Sequence, residues 1–146
     1  MADKKIIAVD LDGTLAQYFG WQGIDHFGDP FPGAVEFTHQ LKELGEVWIH
    51  SCRSNPDEAE KDIPDDLKPS FKASTEWLNG KIKQYLDAHG FHYDRIYAGP
   101  GKLHADVYID DKGLDCRPGT LTSPTPRIGT TKWSFSKLAI VLLDRP

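Results

Sequence analysis

The chain has 146 residues, of which 39% are hydrophobic and 27% are charged, and this composition is typical of one globular domain with a sizeable core. No apolar run approaches the roughly 20 residues of a membrane span, and the first residues lack the apolar segment of a secretion signal, so we expect a cytoplasmic protein without a membrane partner. The formal net charge of −5 disfavours nucleic acid as a partner.

The first predicted element is a strand that leads into two carboxylates. Residues 6–9, Ile-Ile-Ala-Val, are apolar and β-rich, which predicts a strand buried on both faces. Asp10 and Asp12 follow, and Gly13 allows a sharp turn. Two carboxylates about 4 Å apart repel by roughly 4 kcal/mol at an effective dielectric of about 20, so a divalent cation is the candidate that offsets the repulsion. The alternative is a solvated turn, in which Asp and Gly are common.

Residues 16–32 are rich in glycine and aromatic side chains and have no helical period. This predicts a loop or small hairpin that projects from the end of the first strand. We predict that the segment determines substrate specificity, since aromatic side chains offer a large contact area and stacking faces. The candidates are Tyr18, Phe19, Trp21, His26 and Phe27, and Trp21 and His26 are the predicted substrate contacts. In the alternative interpretation, these aromatic side chains anchor the loop on the core.

A helix is predicted next, because Ala34, Phe37 and Leu41 recur at helical spacing before a glycine. The second predicted strand covers residues 47–50 and leads into Ser51. An acidic, proline-containing surface loop with one helical turn is expected to follow it.

The second half of the chain repeats this alternation. A second helix is predicted from residue 74 or 75 to His89, where a glycine ends it. Short strands are predicted over residues 95–98 and 106–109. A connection rich in Pro, Gly, Ser and Thr then leads to a last helix, with one apolar face made of Phe135, Leu138, Ala139 and Leu142.

Alternating strands and helices predict an α/β fold, here a three-layer α/β/α sandwich with a parallel Rossmann-like sheet in one domain over residues 1–146. In such a sheet the ligand site lies outside the carboxyl ends of the strands. The polar residues that follow the predicted strands all fall at that edge: Asp10, Asp12, Ser51, Lys102, Asp110 and Asp111.

This pattern resembles the haloacid dehalogenase superfamily of phosphohydrolases. Residues 10–14, Asp-Leu-Asp-Gly-Thr, match its first motif residue for residue; Ser51 matches the second, Lys102 the third, and the aspartate pair at 110–111 the fourth. The resemblance covers about residues 5–113. It implies a haloacid dehalogenase-like fold and an Mg²⁺-dependent phosphomonoesterase that acts through an aspartyl-phosphate intermediate.

The resemblance also implies the ligands of the metal ion. Asp10 is the expected nucleophile, and its carboxylate is expected to bind Mg²⁺ together with the backbone carbonyl of Asp12 and the carboxylate of Asp110. Asp111 is expected to bind the metal through water or to orient Lys102.

The remaining roles concern protons and phosphoryl oxygens. The resemblance implies that Asp12 protonates the leaving oxygen and later deprotonates the attacking water. Lys102 and Ser51 are expected to contact the phosphoryl oxygens. Arg53 has two open interpretations, either a contact with the substrate phosphate or a surface partner for the acidic loop.

The chain has no room for the sizeable cap domain that many family members carry. Neither the interval from Asp10 to Ser51 nor that from Ser51 to Lys102 is long enough, and a flap at residues 16–32 is expected in place of the cap. The site is therefore open, or it is covered by residues 16–30, by the 55–71 loop or by a neighbouring subunit, which leaves a homo-oligomer as one alternative.

The predicted substrate is a small phosphorylated metabolite, such as a sugar phosphate or a nucleotide. Two alternatives stay open. One is a phosphatase that acts on a polymer end or a phosphoprotein, and the other is a catalytically idle domain that only binds.

Overall fold

A computed structural model describes residues 4–99, 101 and 103–110 of the chain. Its strands and α-helices, in chain order, are β1 (Lys5–Val9), α1 (Ala34–Gln40), β2 (Gly45–Ile49), α2 (Phe71–His89), β3 (Arg95–Ile96) and β4 (Val107–Ile109). Short 3-10 helices cover Leu41–Glu43, Cys52–Ser54 and Glu60–Asp62. The predicted alternation of strands and helices is therefore confirmed over this part of the chain.

The four strands form one sheet in the order β3-β2-β1-β4, and every neighbouring pair is parallel. This confirms the predicted parallel α/β fold. The central strand β1 pairs with β2 on one side and β4 on the other, and Val9 is level with Ile49 and Ile109. The residues that follow these three positions therefore meet at the carboxyl edge of the sheet.

One face of the sheet carries the main core. Strand residues two apart point to the same face, and the fully or almost fully buried set on this face is Ile7, Val9, Val47, Ile49, Val107 and Ile109. Helix α1 contributes Phe37 to the same cluster, the 3-10 helix after it contributes Leu41, and helix α2 contributes Ile82, Tyr85 and Leu86. Each fully buried Leu, Ile or Val contributes about 1.5–3 kcal/mol, so this face holds the strand ends in a fixed position.

Helix α2 begins earlier than the sequence predicted. Ser70 is its N-cap, and the Ser70 side-chain oxygen accepts a hydrogen bond from the Ala73 N–H at 3.1 Å, so the helix begins at Phe71 rather than at residues 74–75. The predicted end is confirmed, because Gly90 caps the helix in the left-handed conformation with φ of 77°.

Several predictions fall outside the described residues: the last helix, the connection over residues 117–131, Lys102 and Asp111. The organisation of residues 1–146 as a single domain stays a prediction. In the described ranges, no helix combines the length and the apolar character that a membrane crossing requires.

Candidate active site

The carboxyl edge of the sheet brings two carboxylates to neighbouring strand ends. The Asp10 N–H donates to the Ile109 carbonyl at 3.0 Å, and Asp110 is the next residue after Ile109. On the other side of β1, the His50 N–H donates to the Val9 carbonyl at 2.9 Å. These bonds continue the sheet by one residue beyond the strands and fix the backbone from which the Asp10 and Asp110 side chains project.

Two cavities open at this edge, and Asp10 and Ser51 line both of them. The larger, of about 580 Å³, also contacts Asp110. The smaller, of about 400 Å³, also contacts Asp12 and Trp21. The predicted nucleophile, hydroxyl donor and acid/base therefore line two cavities that share residues.

A tight turn follows β1 and sets the direction of the first motif. Gly13 has φ of 81°, which an L side chain rarely adopts. The N–H groups of Leu15 and Ala16 both donate to the Leu11 carbonyl, at 2.9 and 3.0 Å. The Leu11 N–H donates to the Asp10 carboxylate at 2.8 Å. This last bond orients the carboxylate that is predicted to attack phosphorus.

Ser51 is almost fully buried at the end of β2. Its side-chain oxygen accepts the Arg53 N–H at 3.1 Å and thereby caps the 3-10 helix Cys52–Ser54. A hydroxyl that accepts one bond still has its own O–H to donate. This arrangement is compatible with the predicted contact between Ser51 and a phosphoryl oxygen, and that contact stays a prediction.

Arg53 is buried in the site, and its guanidinium binds the Asp12 carboxylate with two hydrogen bonds. Arg53 Nε donates to Asp12 Oδ2 at 2.6 Å and Nη2 donates to Oδ1 at 3.0 Å. The Arg53 side chain is only 3% exposed. The interpretation of Arg53 as a surface partner of the acidic loop is therefore wrong. A contact with substrate stays a prediction, although the guanidinium is already engaged by Asp12.

The same guanidinium holds the 16–32 segment over the site. Nη2 also donates to the His26 carbonyl at 2.8 Å, and Nη1 donates to the Ile24 carbonyl at 3.4 Å. The guanidinium carbon lies 5.0 Å from the Trp21 ring centroid and 4.0 Å from that of Phe27. His26 contributes its backbone carbonyl here, while the residue itself is exposed, so its predicted substrate contact is not tested by this geometry.

The two ends of the 16–32 segment run antiparallel and meet at an isolated bridge between Ala16 and Pro30, which is compatible with the predicted loop or small hairpin. The Gln17 N–H donates to the Asp29 carbonyl at 2.8 Å, and the Phe31 N–H donates to the Leu15 carbonyl at 2.8 Å. The two arms approach so closely at Gly28 that a Cβ there would lie 1.9 Å from the Gln17 carbonyl oxygen. Glycine is therefore required at position 28.

Tyr85 of α2 anchors the hairpin to the core. Its ring stacks on Phe27 at a centroid distance of 4.6 Å, and its hydroxyl donates to the Gly28 carbonyl at 2.7 Å. Burial raises the pKa of Tyr85 above its usual range, and the charges of Asp12 and Asp29 raise it further. The hydroxyl therefore stays protonated and keeps donating this bond at all physiological pH values.

The site has a negative electrostatic environment. Cys52 follows Ser51 and lines both cavities. Burial raises the pKa of the Cys52 thiol, and the charges of Asp10, Glu58 and Asp12 raise it further. The clustered carboxylates that act on this thiol also favour a bound cation.

The residues fit the ligand preference of Mg²⁺. This ion binds oxygen, keeps several waters and needs one or two carboxylates from the protein. Asp10 and Asp110 provide carboxylates on neighbouring strand ends. The Asp12 carboxylate is engaged by Arg53, which leaves the Asp12 backbone carbonyl as the ligand that the family resemblance implies. Among the described residues, no group of three or more His, Cys, Asp or Glu residues could hold a metal ion, so a bound Mg²⁺ would rely on carbonyl and water ligands.

Sequence reasoning missed the roles of Tyr85 and Glu58 and the pairing of Arg53 with Asp12. Tyr85 lies on the apolar face of a helix, a position that indicates core packing rather than a site. Glu58 belongs to a charged loop whose contacts have no local sequence signal. The one available signal for Arg53 was its place two residues after Ser51. This places its positive charge at the same edge of the sheet as the carboxylates of Asp10 and Asp12.

No family model and no curated protein matches the chain. Two solved structures are similar to it. A conserved protein from Bacteroides thetaiotaomicron is 22% identical, the match covers 77% of this chain and 79% of that chain, and the TM-score is 0.49. The D,D-heptose 1.7-bisphosphate phosphatase from B. bronchiseptica, in complex with magnesium and phosphate, is 19% identical, with 67% and 52% covered and a TM-score of 0.40. TM-scores this low carry no conclusion about the activity of this chain.

Proposed function

We propose that the protein is an Mg²⁺-dependent phosphomonoesterase that acts on a small phosphorylated metabolite through an aspartyl-phosphate intermediate. One observation carries the proposal: the strand register brings Asp10 and Asp110 to neighbouring strand ends, with Ser51 lining the same cavities. An apolar strand gains no stability from carboxylates placed side by side at its end, so a function that uses a cation explains them.

In the proposed first step, an oxygen of the Asp10 carboxylate attacks phosphorus. The bond between phosphorus and the ester oxygen breaks, and Asp12 gives a proton to the leaving oxygen. Bound Mg²⁺ would neutralise charge on the phosphoryl oxygens. The Ser51 hydroxyl donates to one of these oxygens as charge shifts.

In the second step, water attacks the phosphorus of the aspartyl phosphate. Asp12 takes a proton from this water, the bond between Asp10 and phosphorus breaks, and inorganic phosphate leaves. Asp12 is then protonated again, ready for the next substrate. One residue thus serves as acid and base in turn. Asp12 and Glu58 both line the smaller cavity with Asp10, and Asp12 is the one that stands two residues from the nucleophile in the first motif.

The cavity shapes support a small substrate. The smaller cavity, of about 400 Å³, is within the usual size range of small-molecule sites. Tyr18 and Trp21 form part of its wall and leave aromatic surface available to the leaving group. These two side chains support the proposal that the flap, rather than a cap domain, contacts the non-reacting part of the substrate.

A screen over a library of phosphorylated metabolites, with and without Mg²⁺, tests the proposal. We expect Mg²⁺-dependent release of phosphate from at least one compound, and we expect Asp10→Asn to reduce the rate by more than about a thousandfold while the fold persists. Asp65→Asn is the matched control, because Asp65 is 97% exposed and pairs only with Lys68 in its salt bridge. Release of phosphate from no compound would favour the idle binding domain instead.

The metal is tested separately by calorimetry. Asp110→Asn should weaken Mg²⁺ binding, since an amide is a poorer ligand than a carboxylate. Unchanged Mg²⁺ affinity in this variant would contradict the proposed ligand role of Asp110.

A further inference from the structure

Arg53 is buried in the site by several polar and aromatic contacts, and the proposed mechanism does not use it. Its guanidinium is held by two carboxylate oxygens, two backbone carbonyls and two aromatic rings. Burying a charge to this extent is costly unless its partners are well placed. A surface role or a loose phosphate contact does not explain such an environment.

The paired hydrogen bonds fix the orientation of the Asp12 carboxylate and leave a lone pair on each of its oxygens available for a proton. Arg53 Nε and Nη2 contact one carboxylate oxygen each, at 2.6 and 3.0 Å. Each oxygen has a second lone-pair direction that can hold or release a proton. The planar guanidinium can form both bonds only when the carboxylate has one particular orientation. The ammonium of a lysine would bind the carboxylate as a point charge and would not fix that orientation.

The guanidinium also connects Asp12 to the flap. The carbonyls of Ile24 and His26 accept two more of its five N–H groups, and the rings of Trp21 and Phe27 lie against it. The Arg53 position therefore depends on the same contacts that dock the 16–32 hairpin. A displaced hairpin would leave the guanidinium without these partners and the Asp12 carboxylate without its fixed orientation.

We propose that Arg53 is a positioning residue that holds the Asp12 carboxylate for proton transfer to the leaving oxygen and makes this placement depend on the docked flap. The inference rests on the proposed function. It predicts an effect on proton transfer in particular, because the guanidinium binds both carboxylate oxygens of Asp12, the proposed acid and base.

The test compares two esters that differ in their need for an acid. The leaving group of para-nitrophenyl phosphate is para-nitrophenolate, whose charge is delocalised onto the nitro group, so it leaves without being protonated. The more basic phenolate of phenyl phosphate leaves more readily when an acid protonates it. We expect Arg53→Lys to lower kcat/KM by about 10- to 100-fold on phenyl phosphate and by less than about threefold on para-nitrophenyl phosphate. The value of kcat/KM is used because it reports the first chemical step and excludes the common hydrolysis of the intermediate.

A double-mutant cycle separates positioning from a general structural effect. If Arg53 acts through Asp12, Arg53→Lys should cause no further loss on phenyl phosphate in an Asp12→Asn background. Arg95→Lys is the matched control, since Arg95 stacks on Trp48 at 5.3 Å on strand β3 and should leave both esters unaffected. The proposal would be overturned if Arg53→Lys lowered kcat/KM on phenyl phosphate by the same factor in the Asp12→Asn background as in the wild-type protein.

A milder variant tests the connection to the flap and keeps the proposal testable if Arg53→Lys does not fold. Phe27→Leu retains the ion pair but removes the ring beside the guanidinium, and it should cause a smaller loss that again is greater for phenyl phosphate. Equal losses on the two esters in folded variants would overturn the proposal and leave the phosphatase function intact. An inactive wild-type protein would overturn the proposed function and, with it, this inference.

Discussion

The two ends of the flap have similar composition but different surroundings. At the base of the flap, residues 27–31, Phe27 is partly buried against the core and stacks on Tyr85. At the tip, residues 18–21, Tyr18 and Trp21 are 46% and 45% exposed and line the smaller cavity. One end therefore packs against the core, whereas the other end stays about half exposed beside the smaller cavity.

This difference shows that aromatic side chains in one loop can serve two purposes. Aromatic enrichment alone supported both the specificity interpretation and the anchoring interpretation. The contacts of Phe27 support anchoring for the base, whereas specificity stays a prediction for the tip. Arg53 lies between the two ends, against both Trp21 and Phe27. The following changes test whether the two ends are separable.

The largest effect is expected at the base, from Gly28→Ala. The added Cβ would lie 1.9 Å from the Gln17 carbonyl oxygen, so the backbone of the two arms must separate. We expect the free energy of unfolding to fall by about 1–3 kcal/mol and activity to fall on every substrate. Denaturant unfolding and kinetics on two unrelated substrates measure this. A stable variant with normal activity would contradict the close packing of the arms.

A smaller, substrate-dependent effect is expected at the tip, from Trp21→Ala. We expect kcat/KM to fall about tenfold on the preferred metabolite, equivalent to about 1.4 kcal/mol. We expect it to change little on a small generic phosphate ester such as methyl phosphate, whose leaving group also needs a proton but offers little surface to the ring. Trp48→Ala is the matched control, because Trp48 lies on strand β2 against Arg95 and lines neither of the two cavities, so its loss should change kcat/KM on neither substrate. Equal losses on both substrates, with a lower melting temperature, would show that Trp21 is an anchor as well.

The smallest effect is expected from Tyr85→Phe, which retains the stacking on Phe27 and removes the hydrogen bond to the Gly28 carbonyl. The free energy of unfolding should fall by about 0.5–1.5 kcal/mol. Thermal unfolding should detect this loss at neutral pH, where the raised pKa of Tyr85 keeps the hydroxyl protonated in the wild-type protein. An unchanged free energy of unfolding would mean that this hydrogen bond does not hold the base of the flap, residues 27–31, on the core.

The sheet and the position of the site were predictable because they depend on short-range patterns. Apolar runs followed by polar residues located the strands, and parallel strands place their carboxyl ends at one edge. The start of α2 differs from the predicted one because the apolar period of the helix becomes clear only several residues after the Ser70 N-cap. Such boundary errors did not affect the site.

The side-chain contacts within the site were not predictable in the same way. Asp12 and Arg53 are 41 residues apart, and their pairing depends on the packing of the whole sheet edge. Phe27 packs on the core while Trp21 stays exposed, and this difference depends on where Tyr85 lies in the folded protein. No local periodicity encodes contacts of this kind. The roles of Lys102 and Asp111 also stay predictions, since both lie outside the described residues.

The central claim is that Asp10 forms a covalent bond to phosphorus. The most direct measurement is mass spectrometry of the acid-quenched enzyme during turnover with Mg²⁺, in the wild-type protein and in Asp12→Asn, where loss of the base should slow hydrolysis of the intermediate. We expect one phosphoryl group on the peptide that contains Asp10, and none in Asp10→Asn. A phosphoryl group on Ser51, or turnover without any phosphorylated peptide, would contradict the account.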